Sequence, residues 1–170
     1  MQKENKTTQK DLRAWFITFV THNTRYSERM HKNNVRLGTP VIFSENQEIE
    51  ITKYILQIKH ENYLKILAYN ICKNHVHMIL VCEEYERDNI IRKIKSKSTY
   101  LYKINHNIIE ELHIWAQKYN YKYVEQDKTL ENMYDYINNN RIKHNLAPNK
   151  GFKPLVREMT CTIEEAFSQD

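Results

Sequence analysis

The chain has 170 residues, which suits one domain with its own core and is too short for two full domains. Hydrophobic residues make up 41% of the sequence and charged residues 28%, a composition that excludes a disordered chain. Lys and Arg number 26 against 21 Asp and Glu, and the net charge of +5 fits nucleic acid as a partner. No apolar run is long enough for a membrane span, the N-terminus lacks the apolar region of a signal peptide, and the three cysteines suit a reducing compartment. We therefore expect a cytoplasmic protein without membrane contact.

Periodicity defines the secondary structure, because the chain has only two Gly and three Pro to mark breaks. Apolar, β-branched or alternating runs predict strands over residues 14–22, 63–69, 75–82 and 119–125. Helical spacing predicts helices over about residues 45–60, 88–101 and 129–145. Ser44 with Gln47 forms a capping-box pattern for the first helix, and Asp88 is predicted to cap the second. The polar stretch 70–74 is predicted to be the turn of a β-hairpin.

The order of these elements is β-α-β-β-α-β followed by a helix. It predicts an α+β fold of the ferredoxin-like or RRM-like type, with an antiparallel sheet, helices on one face and a C-terminal tyrosine-bearing helix. Residues 1–12 are predicted to be a flexible N-terminus and residues 13–147 to be the domain. Residues 148–170 are predicted to be a mobile or partner-docking C-terminal tail.

Two histidines, His75 and His77, lie at alternate positions in the third predicted strand. Side chains alternate across a strand, so both imidazoles should project from one face with Cβ atoms roughly 6–7 Å apart. Such a pair can bind one divalent cation, although a partly buried polar patch has the same pattern. A zinc site that includes Cys72 and Cys82 is a competing hypothesis. Strand parity counts against it, because Cys82 should face the other side of the sheet.

Basic residues are concentrated in two tracts without acidic residues, over 89–105 and 141–157. Such tracts are typical of surfaces that bind a phosphate backbone, although a solvated helix face has the same composition. The candidate nucleic-acid contacts are Arg92, Lys93, Lys95, Lys97, Arg141 and Lys143.

The third predicted helix carries a tyrosine beside amide side chains. One face of this helix carries Leu130, Tyr134, Ile137 and Arg141. This face suits packing on the sheet, so Tyr134 is predicted to lie in the core. Tyr136 lies off that stripe, on the face that Asn132 and Asn140 share. A half-buried tyrosine with polar neighbours is the simpler interpretation. A nucleophile candidate together with a metal-ligand pair and a basic surface is, however, what phosphodiester chemistry requires.

Four segments resemble a known family, the single-tyrosine HUH transposases, and in particular the REP-associated tyrosine transposases. LAYNICKNHVHMIL resembles the family's hairpin with its His-hydrophobic-His motif, and YINNNRIKHNL resembles its tyrosine helix. WFITFVTHN and WAQKYNYKYV are similar to the first strand and to the segment before the last strand. The similarity spans roughly residues 13–147. It departs from the family at Ile71-Cys72-Lys73, where a Met-Pro pair is common, and at Arg141, where Pro is common.

The resemblance implies an endonuclease and strand transferase for single-stranded DNA, often acting beside a DNA hairpin. It implies Mg²⁺ or Mn²⁺ as cofactor, with His75, His77 and Asn140 as ligands. It also implies that Tyr136 attacks the phosphodiester and forms a 5′-phosphotyrosine link. The protein would be a monomer or a homodimer that exchanges tyrosine helices.

Two other classes of function stay open. A non-catalytic or regulatory single-stranded nucleic-acid-binding module would keep the basic tracts and would need neither a metal nor Tyr136. A metal-dependent hydrolase that activates water would need the metal and would still cleave without the hydroxyl of Tyr136.

Overall fold

The computed structural model describes residues 10–125, 128–148 and 151–168, so residues 1–9 of the predicted flexible N-terminus lie outside the described residues. The strands within these ranges are β1 (Arg13–Val20), β2 (Lys65–Cys72), β3 (His75–Cys82) and β4 (Asn120–Val124). The helices are α1 (Glu28–Lys32), α2 (Glu45–Glu61), α3 (Arg87–Asn105), α4 (Lys128–Asn138), α5 (Asn140–Lys143), α6 (Phe152–Met159) and α7 (Ile163–Phe167). None of these helices has the length and apolar character needed to cross a membrane.

The four strands form one antiparallel sheet in the order β2-β3-β1-β4. β1 and β3 pair along their full lengths, from Arg13 opposite Cys82 to Val20 opposite His75. The histidine-bearing strand therefore has a partner on each side and is held rigidly. The α+β fold predicted from the sequence, with its ferredoxin-like order of elements, is confirmed.

One face of the sheet is covered by α2, α3 and α6. The buried residues of this core include Ile17 and Phe19 of β1, Met78 and Leu80 of β3, Ile51, Ile55 and Ile58 of α2, Ile91 and Ile94 of α3, and Phe152 and Met159 of α6. The predicted capping box begins α2, because the Ser44 hydroxyl accepts from the backbone of Gln47 while the Gln47 side chain accepts from the backbone of Ser44. The apolar stripe of α2 thus faces the sheet at the predicted positions.

The other face is covered over β2 and β3 by α4 and, at its edge, by α7. Leu130 and Ile137 of α4 pack in a second core with Leu67, Ile79 and Ala166. The helix predicted over 129–145 is interrupted at Asn139, so that it forms α4 and α5. This face carries the odd-numbered residues of the first part of β3, and it is where the two histidines lie.

The predicted turn over residues 70–74 is wrong. β2 continues to Cys72, and Lys73 and Asn74 alone form the turn. Asn70 can lie within the strand because its side-chain amide donates a hydrogen bond to the backbone oxygen of Ile137. The donor group of the polar residue that suggested a turn is satisfied by a helix that is distant in sequence.

The predicted cap at Asp88 is also wrong. α3 begins at Arg87 after Glu86, and no side chain caps it. The Asp88 carboxylate instead accepts hydrogen bonds from the hydroxyl of Tyr119 and from the side chain of Arg87. The Asp88 carboxylate therefore bonds to Tyr119, in the segment before β4, instead of capping the backbone of α3.

The C-terminal segment is not a mobile tail over its described residues. Phe152 and Met159 of α6 are buried against α2 and β2, and Ala166 of α7 is buried on the other face. A backbone hydrogen bond from Cys161 to Ile66 joins the segment to the free edge of β2. This packing buries apolar side chains and covers an edge strand, and both effects stabilise the fold.

Candidate active site

Strand β3 presents His75 and His77 side by side on the face predicted from strand alternation. Their ring centroids lie 4.7 Å apart, and both side chains are buried. In the sheet register His77 lies between Thr18 of β1 and Asn70 of β2. The pair therefore sits on a rigid three-strand platform, which is a suitable support for a metal site.

Polar contacts fix both rings. The Nδ1 atom of His77 lies 2.8 Å from the hydroxyl oxygen of Thr18, so Nε2 is the nitrogen that a cation could bind. The Nδ1 atom of His75 lies 2.7 Å from the side-chain oxygen of Asn74, and its Nε2 atom lies 3.1 Å from Oδ1 of Asn140. A nitrogen and an oxygen of the predicted ligand set thus already lie next to each other.

Burial favours the neutral form of both imidazoles. It lowers the pKa of His75 below its usual range. Burial, followed by the unfavourable interaction with a protonated His75, lowers the pKa of His77 to about 3. Neutral imidazoles keep the lone pairs that metal binding requires, so these two histidines can bind a cation without first releasing a proton.

The side chain of Asn140 reaches this pair from α5 and is fully buried. Its Oδ1 atom accepts a hydrogen bond from the thiol of Cys72 at 3.0 Å, and its Nδ2 atom has no hydrogen-bond partner among the described residues. Burial raises the pKa of Cys72 to about 11, so the thiol stays protonated and donates. Asn140 is therefore held with its oxygen, rather than its nitrogen, towards His75.

These donors fit a cation of the Mg²⁺ or Mn²⁺ class. Two neutral imidazole nitrogens and an amide oxygen are ligands that Mn²⁺ accepts, and Mg²⁺ commonly takes few protein ligands and keeps several waters. In the described part of the chain no three His, Cys, Asp or Glu side chains are grouped to hold a metal, so Asn140 would have to be the third protein ligand. The alternative zinc site does not form, because Cys82 is buried in the core on the opposite face.

Tyr136 lies directly beside His77. The two ring centroids are 5.4 Å apart, and Phe16 of β1 contacts both rings, stacking on His77 and meeting Tyr136 edge-on. The Nζ atom of Lys143 lies 4.1 Å from the centroid of the Tyr136 ring. The half-buried tyrosine is thus positioned between the histidine pair and a surface cation.

The prediction that Tyr134 belongs to the core is wrong. Its side chain is 44% exposed, and it lines a groove of about 660 Å³ that also contains Leu130, Cys161 and Ile163. Leu130 and Ile137 are enough to pack α4 against the sheet, and Tyr134 lies at the border of their stripe where the sheet no longer covers the helix.

The structure buries Arg141, a residue predicted from the sequence as a candidate nucleic-acid contact. Its guanidinium is buried and forms an ion pair with Glu48 of α2 at 2.6 Å. It also donates to the backbone oxygens of Ile71 and Ala147. Arg141 therefore crosses the edge of β2 and joins the two layers of the protein. Lys143, two residues later, is exposed and faces the site.

The basic tract of α3 lies on the other face of the sheet. Lys93 donates to the side-chain oxygen of Asn62, Lys95 donates to the backbone oxygen of Gln117, and Lys97 is paired with Glu61. The structure does not bring these residues, or Arg92 on the same helix, to the histidine pair. Any contact that they make with a partner would lie away from the histidine pair.

Several residues around the site were not identified from the sequence. They are Phe16, Thr18, Asn70 and His144, whose ring centroid lies 5.0 Å from that of His75. Phe16 and Thr18 share a strand face, and His144 follows Asn140 by one helical turn, so periodicity alone could have grouped them. It could not have shown that those faces meet the histidines.

Comparison with known proteins identifies the family. The family model described as "Transposase IS200 like" matches residues 39–140, which is more than half of the chain. The structure of a REP-associated tyrosine transposase bound to a REP hairpin is similar in fold, with a TM-score of 0.55 and 20% identity over 86% of this chain and 76% of that one. A candidate transposase from Deinococcus radiodurans is 14% identical, with a TM-score of 0.45 over 87% of this chain and all of that one. No curated protein shows significant similarity. The chain belongs to the IS200-like transposase family.

Proposed function

We propose that this transposase is a metal-dependent endonuclease and strand transferase for single-stranded DNA, with Tyr136 as its nucleophile. One observation carries the proposal. A single interrupted helix brings Tyr136 next to His77 and Asn140 within 3.1 Å of His75. A nucleophile and a complete set of candidate metal ligands therefore converge on one strand.

In the proposed reaction Oη of Tyr136 attacks the phosphorus of a phosphodiester. A bond forms between Oη and phosphorus, and the bond from phosphorus to the 3′ oxygen breaks. The phenol releases its proton and the leaving 3′ oxygen takes one up, so that the products are a free 3′-hydroxyl and a 5′-phosphotyrosine. The covalent link conserves the energy of the broken bond, and attack by a 3′-hydroxyl in the reverse direction rejoins DNA without ATP.

His75, His77 and Asn140 would hold Mg²⁺ or Mn²⁺ in this reaction. Bound there, the cation would polarise a non-bridging oxygen of the phosphate and offset its negative charge. Phe16 would fix the position of the Tyr136 ring relative to the His77 ring, since it contacts both. Lys143 is the exposed cation that would contact the DNA phosphate nearest to Tyr136.

The proposed substrate is a single strand next to a DNA hairpin. The fold neighbour bound to a REP hairpin supports this choice. Lys143 would act at the site, while Arg92, Lys93, Lys95 and Lys97 would contact DNA farther away, on the other face of the protein. A homodimer that exchanges tyrosine helices remains an alternative arrangement of the same site. The cytoplasmic location stays a prediction.

The test is trapping of the covalent intermediate. We expect the wild-type protein, incubated with labelled single-stranded hairpin DNA and Mn²⁺, to form a denaturation-resistant adduct that is lost on chelation of the metal. Tyr136→Phe should abolish the adduct. Tyr134→Phe is the matched control, because it removes a hydroxyl from the same helix on a face that does not contact the histidines, and it should leave the adduct intact.

The outcomes separate the candidate functions. Cleavage without an adduct, persisting in Tyr136→Phe, would indicate a hydrolase that activates water. Binding of the same DNA without cleavage would indicate a non-catalytic module. A phosphotyrosine mapped by mass spectrometry to any residue other than Tyr136 would contradict the assignment.

A further inference from the structure

The helix that carries Tyr136 is interrupted between the proposed nucleophile and the proposed ligand. α4 ends at Asn138 and α5 begins at Asn140, and the intervening Asn139 has φ −90° and ψ 2°. Backbone hydrogen bonds from Asn139 to Asp135 and from Lys143 to Asn139 continue across this point. The relative orientation of Tyr136 and Asn140 therefore depends on how this interruption is held.

One of the contacts that hold the interruption comes from Asn70 of β2. Its Nδ2 atom donates a 2.7 Å hydrogen bond to the backbone oxygen of Ile137, the residue that follows Tyr136. Asn70 is 4% exposed and is the register partner of His77. One side chain thus joins the strand position opposite His77 to the backbone beside Tyr136.

The amide of Asn70 uses its donor and leaves its acceptor without a partner in the described part of the chain. The Oδ1 atom of Asn70 is buried and has no hydrogen-bond partner among the described residues. A buried acceptor without a partner is unfavourable, and an apolar side chain of similar size would avoid that penalty. The contact that the amide does make is directed at the tyrosine helix.

We propose that Asn70 is a positioning residue that fixes Tyr136 relative to His77 through the backbone of Ile137. The inference rests on the proposed function, because the contact matters for catalysis only if Tyr136 is the nucleophile that it aligns. Displacement of a reacting group by about 1 Å can lower a rate by about 100-fold. The side-chain hydrogen bond of Asn70 goes to the backbone of Ile137 and not to a proposed metal ligand, so its loss should lower the rate more than it weakens metal or DNA binding.

The kinetic test compares Asn70→Ala with Ser98→Ala. Ser98 is a fully buried polar residue on α3 that donates to the backbone oxygen of Lys95 and accepts from Trp115, far from the histidines. Asn70→Ala should lower the single-turnover rate at saturating single-stranded DNA by about 10- to 100-fold. DNA affinity and the rise in Tm on adding Mn²⁺ should change less than about twofold, and Ser98→Ala should cleave at the wild-type rate. Asn70→Leu keeps the volume without the donor and should behave like Asn70→Ala.

An unchanged rate, or a parallel loss of DNA or metal affinity, would overturn the proposal. Amide hydrogen exchange provides a readout that does not depend on activity. Asn70→Ala and Asn70→Leu should accelerate exchange in peptides from residues 128–144 and leave α3 unchanged, and equal exchange would overturn the anchoring role. If the wild-type protein forms no adduct, the proposed function fails, while the exchange result still decides whether Asn70 holds the helix.

Discussion

At the scale of single residues, the feature that controls the site is the burial of two histidines without a charged partner. His77 stacks on Phe16 and bonds to Thr18, and neither neighbour can stabilise an imidazolium by charge. The protein therefore favours the neutral ring, which is the form that binds a metal. The same property makes the fold sensitive to acid.

We predict a loss of stability as the pH falls below the pKa of an unfolded histidine. The pKa of His77 is lowered to about 3 in the folded state, so the unfolded chain takes up the proton first. The free energy of unfolding should be level above pH 6.5 and should fall as the pH decreases from 6.5 towards 3. At pH 5 this histidine should cost about 2 kcal/mol relative to pH 7.

Urea denaturation at the two pH values measures this effect. The decrease should be smaller by about 2 kcal/mol in His77→Gln, which cannot titrate. His31→Gln, at an exposed histidine, is the control and should decrease as the wild-type protein does. Equal decreases in all three proteins would show that His77 does not resist protonation.

At the scale of secondary-structure elements, the tyrosine helix is joined to the edge of β2 by polar groups at its interrupted end, in addition to the apolar packing of Leu130 and Ile137. Consecutive residues of β2 contact it: the side chain of Asn70, the backbone oxygen of Ile71 and the thiol of Cys72. The Ile71 contact is made by Arg141, which also reaches Glu48. The free edge of the sheet is thereby covered by the element that carries the proposed nucleophile.

We predict that Arg141→Met destabilises the protein by about 3–5 kcal/mol, because it leaves Glu48 buried without its partner. The double variant Glu48→Leu/Arg141→Met should recover most of this loss, since an apolar pair of similar size needs no charge compensation. Lys143→Met, at the exposed neighbour, should change the free energy of unfolding by less than about 0.5 kcal/mol.

Chemical denaturation and DNA affinity together distinguish the two basic residues. Arg141→Met should act on stability, and Lys143→Met should weaken the binding of single-stranded DNA. If Arg141→Met instead weakened DNA binding while the protein remained as stable as the wild type, the ion pair would not be structural and Arg141 would return to the nucleic-acid surface.

At the scale of the whole molecule, the chain after residue 150 completes the domain. α6 inserts Phe152 against Tyr69 and α2, with ring centroids 6.0 Å apart, and the following residues continue along β2 to α7. The segment therefore belongs to the same core as the strands and is not an appendage. A loss of packing in this segment should lower the free energy of unfolding of the whole domain.

We predict that Phe152→Ala lowers the free energy of unfolding by about 3 kcal/mol, as expected for a large aromatic side chain removed from a core. Arg157→Ala, on the exposed side of the same helix, should have an effect within about 0.5 kcal/mol. Urea denaturation checks both values. A Phe152→Ala protein as stable as the wild type would restore the mobile-tail interpretation.

The sequence by itself determined what depends on neighbours within a few residues. The capping box at Ser44 and Gln47, the alternation that puts His75 and His77 on one face, and the helical turn that relates Tyr136 to Asn140 all follow from local geometry. The resemblance to a transposase family also follows from these local motifs. The relative positions of the residues within each motif are the same wherever the strand or helix packs.

Only the tertiary structure decided which faces meet. Arg141 is paired with Glu48, 93 residues earlier in the chain, and Asn70 is bonded to Ile137, 67 residues later. Both appeared in the sequence as solvent-facing polar residues, and Tyr134 appeared as a core residue. Whether a polar group is buried and paired depends on strand register and on how α4 and α6 dock. Both depend on contacts between residues distant in sequence, which the local hydrophobic periodicity does not predict.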